Sequence, residues 1–213
     1  MYKERFGFLT DGIYAIAMTL LVLQLPDPKS GVGLHELVHQ TSTFLIDYAL
    51  AFIVLFSFWY NHVRVNDLVD THTRSTLLVN ALILMMVCLL PFSASLLYTF
   101  GEQNSWLGNF NRAALVDIVF IAVCLCIDGL IHLNLAIIQH NKIYSGEHQQ
   151  KILQVVHYRR IATAILIMAM FISFALPIPN RISLIVIPPL IIFEQEVADQ
   201  LLRLWRYICK KTR

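Results

Sequence analysis

Charged side chains are scarce in this chain, because Lys, Arg, Asp and Glu together make up only 14% of its 213 residues. Soluble globular proteins carry about 25% charged residues, so a soluble fold is excluded. Apolar residues account for 57% of the chain, and the mean hydropathy is +0.64. This composition predicts an all-α integral membrane protein embedded in a lipid bilayer. The small net charge of +2 argues against a nucleic-acid partner.

Several signatures of membrane and catalytic sites are also absent from the sequence. It has no Thr-Val-Gly-Tyr-Gly loop, which forms the carbonyl-lined filter of many potassium channels, and no voltage-sensing ladder of arginines. It has no phosphate-binding loop, no His-Glu-x-x-His motif and no Cys-x-x-Cys pair. We therefore expect no enzyme activity, no cofactor and no resident metal. The four cysteines lie in apolar runs or in a basic tail, which favours free thiols.

Six hydrophobic segments are long enough to be membrane-spanning helices. They are predicted at about 4–25, 34–64, 74–100, 109–140, 157–177 and 181–207. The sixth bends at Pro188-Pro189 and becomes amphipathic from Glu194 onward. The chain is therefore expected to form a single transmembrane domain of six helices over 1–213.

The basic residues predict the orientation of these segments. With six crossings both termini lie on one side of the membrane. That side would hold Lys3, Arg5, Arg64, Arg74, Lys142, Lys151, Arg159, Arg160, Arg203, Arg206, Lys210, Lys211 and Arg213. The opposite side would hold Lys29, Arg112 and Arg181. Because positive charge accumulates on the cytoplasmic side, both termini are predicted to be cytoplasmic in a multi-pass protein of the cell membrane.

The first segment contains one charge, Asp11, between Phe6 and Leu25. A charged side chain costs roughly 3 kcal/mol at the bilayer centre and less toward the interface, so Asp11 needs a polar partner. The orientation brings this end of the segment close to His62 and Asn80, and a polar cluster is predicted there. A simpler interpretation stays open, in which Arg5 only anchors the helix and Asp11 is an ordinary interfacial residue.

The middle of the first segment is apolar on every face. At about 100° per residue, one stripe along this helix contains Gly12, Ile16, Thr19, Leu20 and Leu23. Uniform hydrophobicity does not indicate which face meets lipid. Thr19 can simply bond to the backbone of its own helix, and Gly12 can be a position of close packing. These residues are compatible with a transport protein but do not indicate its substrate.

A motif opens the first segment. It reads Arg5-x-x-x-Leu9-Thr10-Asp11-Gly12 and is followed by Ala15-Ile16-Ala17-x-Thr19-Leu20-Leu21-Val22-Leu23. It resembles the Arg-x-x-x-Phe-Ser-Asp-Gly/Ala signature of the transmembrane protein 175 family of potassium channels. Leucine replaces the phenylalanine of that signature, and threonine replaces its serine while keeping the hydroxyl. The resemblance extends to Trp59-x-x-His62, and to Asn80 with Pro91-Phe-Ser93.

The resemblance implies a bacterial, single-repeat channel that is a homotetramer. Its four first helices would surround a central pore, with K⁺ as the permeant ion and no bound cofactor. Ile16 would form the narrowest ring, Thr19 a ring of hydroxyls one turn outward, and Leu23 a further apolar ring. A structural hydrogen-bond cluster would hold the pore helix in place. Its members would be Arg5, Thr10, Asp11, Trp59, His62 and Asn80.

A proton- or ion-coupled secondary transporter is the alternative function. It is suggested by ionisable residues within or near the membrane segments, which often mark ion pathways. These residues are His62, Asp117, Asp128 and His132. Asp128 and His132 are also one helical turn apart, a spacing that suits a structural i,i+4 pair.

Overall fold

In the computed structural model of this protein, the described residues are 2–27, 33–67, 69, 71–100, 112–143, 163 and 167. Four α-helices form in this part of the chain: α1 (Tyr2–Leu23), α2 (Leu34–Asp67), α3 (Arg74–Phe100) and α4 (Arg112–His140). Each contains a stretch that is long and apolar enough to cross a membrane. The prediction of an all-helical, multi-pass membrane protein is confirmed.

The prediction of six transmembrane helices per subunit is wrong, because four helices are found over the residues that the structure describes. The predicted segments 157–177 and 181–207 lie outside those residues, apart from Thr163 and Ile167. Hydropathy measures the length of an apolar run and does not by itself give the number of helices in a fold.

The start of α3 is set by a reciprocal pair of threonines. The Thr73 backbone N–H donates to Thr76 Oγ1 at 2.8 Å, and the Thr76 N–H donates to Thr73 Oγ1 at 3.3 Å. Each side chain thus satisfies a backbone donor that has no partner within the first turn of a helix. This cap fixes the beginning of α3 about two turns before Asn80. Further along, α3 continues through Pro91, as helices in membranes often do.

Successive helices run in opposite directions, and α3 lies at the centre of the bundle. It packs most extensively against α4 and also against α1, while α2 lies beside α1. Hydrogen bonds from Trp59 to Asp11 and from His62 and Asn134 to Asn80 bring four helix ends together. These are the N-terminal ends of α1 and α3 and the C-terminal ends of α2 and α4. We refer to this part of the bundle as the Asp11 end.

Candidate functional site

One face of α1 is covered by the rest of the chain, and the opposite face is open. The covered residues are each at most 1% exposed and comprise Thr10, Tyr14, Ala17 and Leu21. At about 100° per residue, Gly12, Ile16, Thr19 and Leu23 lie on the opposite side of the helix. All four are exposed, Ile16 by 60% and Leu23 by 76%. This open face of α1, defined by these four residues, is the stripe that hydropathy alone does not distinguish.

The hydroxyl of Thr19 is oriented by its own helix. Its Oγ1 donates to the Ile16 carbonyl oxygen at 2.8 Å, three residues back along the chain. Because the hydroxyl proton is used in this bond, the oxygen lone pairs remain available as acceptors on the open face. Such an oxygen suits a cation rather than an anion. At Gly12, an added Cβ would meet nothing within 4 Å, so packing within the chain does not require glycine there.

Asp11 is joined to Trp59 on α2. The indole Nε1 donates to Asp11 Oδ1 at 2.9 Å, and this bond links the N-terminal part of α1 to the C-terminal part of α2. Among the described residues, Asp11 and Arg5 form no ion pair. Arg5 is exposed, and helical geometry places it on the same side of α1 as the open face. The structure therefore brings Asp11 and Trp59 together and leaves Arg5 apart from them.

Three buried polar side chains meet at Asn80. Its Oδ1 pairs with His62 Nε2 at 2.7 Å and also accepts a hydrogen bond from Asn134 Nδ2 at 3.0 Å. These three side chains are at most 1% exposed. The ring of Tyr14 on α1 lies edge-on to the His62 imidazole, with ring centroids 5.8 Å apart. Side chains from all four helices thus form one buried cluster, which we call the Asn80 cluster.

Tyr14 and Asn134 are the members of the Asn80 cluster that sequence reasoning missed, and only Asn134 had a signal in the sequence. The signal for it was an amide side chain inside an otherwise apolar stretch of α4, a place where unsatisfied polar groups are costly. Thr10 behaves differently, because its Oγ1 donates to the Phe6 carbonyl oxygen of its own helix at 3.0 Å. Its side chain is 1% exposed and bonds within α1 rather than across to another helix of the described residues.

A cavity of about 130 Å³ lies between α1 and α2 at the Asp11 end. Its walls come from the first half of α1, the last turns of α2 and the α2–α3 connection. The residues that line it are Phe6, Gly7, Thr10, Asp11, Val63, Asn66, Asp67 and His72. The ring of Phe6 contacts that of His72, with centroids 5.2 Å apart, and closes one side of the cavity. Asp11 therefore borders both this cavity and the bond to Trp59.

A second polar group lies on α4. The Thr163 hydroxyl donates to Asp128 Oδ2 at 2.6 Å, and its oxygen lies 2.6 Å from His132 Nε2. Asp128 Oδ2 and His132 Nε2 are themselves 3.7 Å apart, so the predicted i,i+4 pair is present and is bridged by threonine.

The side chain of Asp117 lies outside the described residues. Among the described residues, no three His, Cys, Asp or Glu side chains are grouped as metal ligands, and Cys88, Cys124 and Cys126 are free thiols.

Residues 5–91 contain the open face of α1, the Asp11–Trp59 bond and Asn80, and they match a known family. The family model described as "Endosomal/lysosomal potassium channel TMEM175" matches residues 5–91. Over these residues the chain is similar to the TMEM175 family. The resemblance drawn from the motif at Arg5–Leu23 is confirmed, and the family is one of ion channels rather than of enzymes.

Three relatives are similar to this chain over part of their length. A potassium channel of Streptomyces collinus is 31% identical over 129 residues, which are 59% of this chain and 61% of the relative. A potassium channel of Chamaesiphon minutus is 32% identical over 97 residues, or 44% of this chain and 48% of the relative. An endosomal/lysosomal proton channel, TMEM175 of Gallus gallus, is 30% identical over 112 residues, or 48% of this chain and 22% of the relative. The chain thus spans less than two thirds of each of these relatives.

The fold is similar to that of a solved channel structure. This is the crystal structure of a lysosomal potassium-selective channel TMEM175 homolog from Chamaesiphon minutus. The TM-score is 0.73, the sequences are 23% identical, and the match covers 91% of this chain and 96% of the other. At this level of identity the match establishes the fold.

Proposed function

We propose that this chain is the subunit of a potassium-selective channel whose central pore is lined by α1 in a homotetramer. The observation that carries the proposal is the open face of α1, which lies within the family-matched residues and bears no charge from Gly12 to Leu23. One helix cannot enclose a pathway, whereas the open faces of four copies can do so around a common axis. The two bacterial relatives named as potassium channels support K⁺ as the permeant ion.

Ile16 would form the constriction of this pore. A hydrated cation that passes four isoleucine side chains must shed part of its water and receives no ligand in exchange. Potassium holds its water less tightly than sodium does, so its free-energy barrier at an apolar ring is lower. Selectivity would therefore come from dehydration rather than from a cage of carbonyl groups. No cofactor takes part in this mechanism.

Thr19 and Leu23 would line the pore beyond the constriction. The hydroxyl proton of Thr19 is bonded to the Ile16 carbonyl, so four hydroxyl oxygens would face an ion with their lone pairs. They would replace part of the water that the ion loses at Ile16. Leu23, one turn further, would form a second apolar ring.

The polar contacts at the Asp11 end would hold α1 in register against α2 and α3. The bond from Trp59 to Asp11 and the contact of His62 with Tyr14 both reach α1 from α2. These contacts lie on flanks of α1 other than the open face, so they can position the helix without entering the ion pathway. Arg5, exposed beside the open face, would meet another copy of the chain or the pore entrance in the assembled channel.

The Asp11 end would lie on the cytoplasmic side of the cell membrane. Four crossings are an even number, so the start of α1 and the end of α4 share one side. That side holds Lys3, Arg5, Arg64, Arg74 and Lys142, whereas the other holds Lys29 and Arg112. This asymmetry follows the positive-inside rule. The basic residues Lys210, Lys211 and Arg213 favour the same side for the C-terminus.

Purified protein in a planar bilayer with a potassium gradient tests the proposed function. The expected result is a unitary current that reverses close to the potassium equilibrium potential and persists without a proton gradient. Bilayers without protein give the background current. Strictly electroneutral flux that depends on a coupled gradient would contradict a channel.

Proton- or ion-coupled transport is the second candidate, and the Asp128–Thr163–His132 group favours it. Two ionisable side chains of the apolar helix α4 are linked through the hydroxyl of Thr163, which lies outside that helix. Such a chain of hydrogen bonds can hold and pass a proton. The same contacts also suit a structural connection between α4 and Thr163. The bilayer experiment separates these functions by the dependence of the current on the proton gradient.

A further inference from the structure

We propose that Asn134 on α4 is a positioning residue that fixes the tautomer of His62 through Asn80 and thereby sets the placement of the pore helix. Its effect on conduction rests on the proposed channel function, whereas its effect on His62 does not. The proposal connects α4 to α1 through side chains of α3 and α2, although α4 and α1 do not contact each other in the part of the chain that the structure describes.

His62 and Asn134 both bond to the same oxygen, Oδ1 of Asn80. Asn80 Oδ1 is an acceptor only, so both of its neighbours must donate to it. Asn134 does so through its amide Nδ2. His62 must then carry a proton on Nε2, because a bare ring nitrogen facing a carbonyl oxygen 2.7 Å away would be repelled.

The neighbours of Asn80 determine which way its side-chain amide is turned. Its Nδ2 and the Oδ1 of Asn134 are buried and form no hydrogen bond with the described residues. Nothing in the described part of the chain therefore holds the nitrogen side of Asn80 in place. If the amide turned over, Nδ2 would face His62, and the imidazole would have to accept at Nε2 with its proton on Nδ1. The donor from Asn134 opposes this turn, because two Nδ2 groups would then face each other, and the turn can occur only if the Asn134 amide turns over at the same time.

Tyr14 connects His62 to the pore helix. The His62 ring is fully buried and lies edge-on to Tyr14, which is fully buried on the covered face of α1. Interiors are closely packed, so a change in the position or orientation of the imidazole is felt by the Tyr14 ring. Tyr14 lies about half a turn from Ile16 along α1, on the opposite side of the helix. The order of contacts is therefore Asn134, Asn80, His62, Tyr14 and then the constriction.

The test measures the His62 tautomer directly. Protein labelled with ¹⁵N-histidine is placed in lipid bilayers at a pH well above 6.5, the ordinary pKa of histidine being about 6.5, and its ring-nitrogen shifts are recorded. The chain has eight histidines, so the His62 signals are assigned by difference from a His62→Gln sample. The variants are Asn134→Leu, which removes the donor at similar size, and Asn134→Ala, which removes it with a smaller side chain that a helix tolerates. Ser93→Ala is the control, because this buried hydroxyl bonds only to the Leu90 carbonyl of its own helix at 2.8 Å.

In the wild type and in Ser93→Ala, His62 is expected to be protonated at Nε2. In both Asn134 variants a signal for Nδ1–H is expected at its expense, together with a several-fold fall in potassium flux through liposomes. The proposal is overturned if both Asn134 variants keep the wild-type nitrogen shifts, or if the shifts change while potassium flux does not. If the wild type carries no potassium flux, the proposed function fails, and the nitrogen shifts alone decide whether Asn134 controls His62.

Discussion

Trp59 donates its indole N–H to the carboxylate of Asp11 across 2.9 Å, which joins two helices through residues 48 positions apart in the chain. A carboxylate in the N-terminal half of a membrane helix thus bonds to a neutral donor, and among the described residues no cation pairs with it. The indole offers its one N–H at the edge of a large apolar ring, which suits a side chain near the boundary between lipid and water. Substitutions at this bond should therefore affect how α1 is held more than which ion passes.

Trp59→Phe should lower the stability of the protein while leaving ion selectivity unchanged. The substitution keeps an aromatic ring but removes the donor to Asp11 and the pyrrole ring of the half-buried indole. The lost hydrogen bond alone costs about 1 kcal/mol, and the lost packing adds to it. Thermal unfolding in detergent, followed by the retention of the assembled protein on a sizing column, measures the loss. Tyr60→Phe is the matched control, because this neighbouring side chain is 39% exposed. A changed sodium-to-potassium ratio in Trp59→Phe would assign Trp59 a role in permeation.

Leu23→Cys should form an oxidative cross-link between copies of the chain. Leu23 lies on the open face of α1 and is 76% exposed in the single chain, so four copies around an axis would bring these positions close together. Leu21→Cys is the control, since Leu21 is fully buried on the covered face two residues away. Both cysteines are placed in a background where the native cysteines are replaced by serine or alanine. Non-reducing gels should show dimers for Leu23→Cys alone, and cross-linking at Leu21 instead would reverse the assignment of the two faces.

Ile16→Asn should raise sodium permeability relative to potassium while the protein still assembles. An amide at the constriction supplies a polar ligand to a dehydrating ion, which lowers the barrier most for the ion that holds its water most tightly. Reversal potentials under mixed sodium and potassium gradients measure the ratio. Val22→Asn introduces the same amide on α1 away from the open face and should leave the ratio unchanged. If Ile16→Asn retained the wild-type ratio, the constriction would lie elsewhere.

Thr163→Val should destabilise the protein without changing potassium flux, if the group on α4 is structural. The substitution keeps the size of the side chain but removes the hydroxyl that contacts both Asp128 and His132. Loss of hydrogen bonds to a buried carboxylate costs about 1–3 kcal/mol. Thermal unfolding and liposome flux are measured on the same preparation. The coupled transporter would be favoured if a proton gradient affected potassium flux differently in this variant and in the wild type. Either a loss of the dependence on the gradient or a block of flux under the gradient would count.

The positions of α1 to α4 could be predicted closely from the sequence. Their observed ends lie within three residues of the predicted ones, for example Leu34–Asp67 for α2 against a predicted 34–64. The reason is physical: the bilayer fixes the length of an apolar run, and capping residues such as Thr73 stop it. The number of helices was wrong: four are found over the residues that the structure describes, and the fifth and sixth predicted segments lie almost wholly outside those residues.

The contacts of individual polar residues could not be predicted in the same way. Polarity shows that Asp11 and Asn134 need partners, but the rotation of each helix decides which partners they reach. Arg5 and Asp11 are close in sequence yet lie on different sides of α1, so Trp59 takes the place of the expected cation. Likewise, the open face of α1 could not be predicted from its hydropathy, which is uniform around the helix. The face is defined only by the packing of α2 and α3 against the other side.

The open face of α1 also has a consequence for the order of events in biogenesis. Between Gly12 and Leu23 it carries no charge, and its one hydroxyl, on Thr19, is already bonded to the backbone. A newly inserted chain can therefore expose this face to lipid at little cost, as any apolar helix does. Insertion and folding of each chain would precede its meeting with other copies, and the ion pathway would come into existence only at that last step.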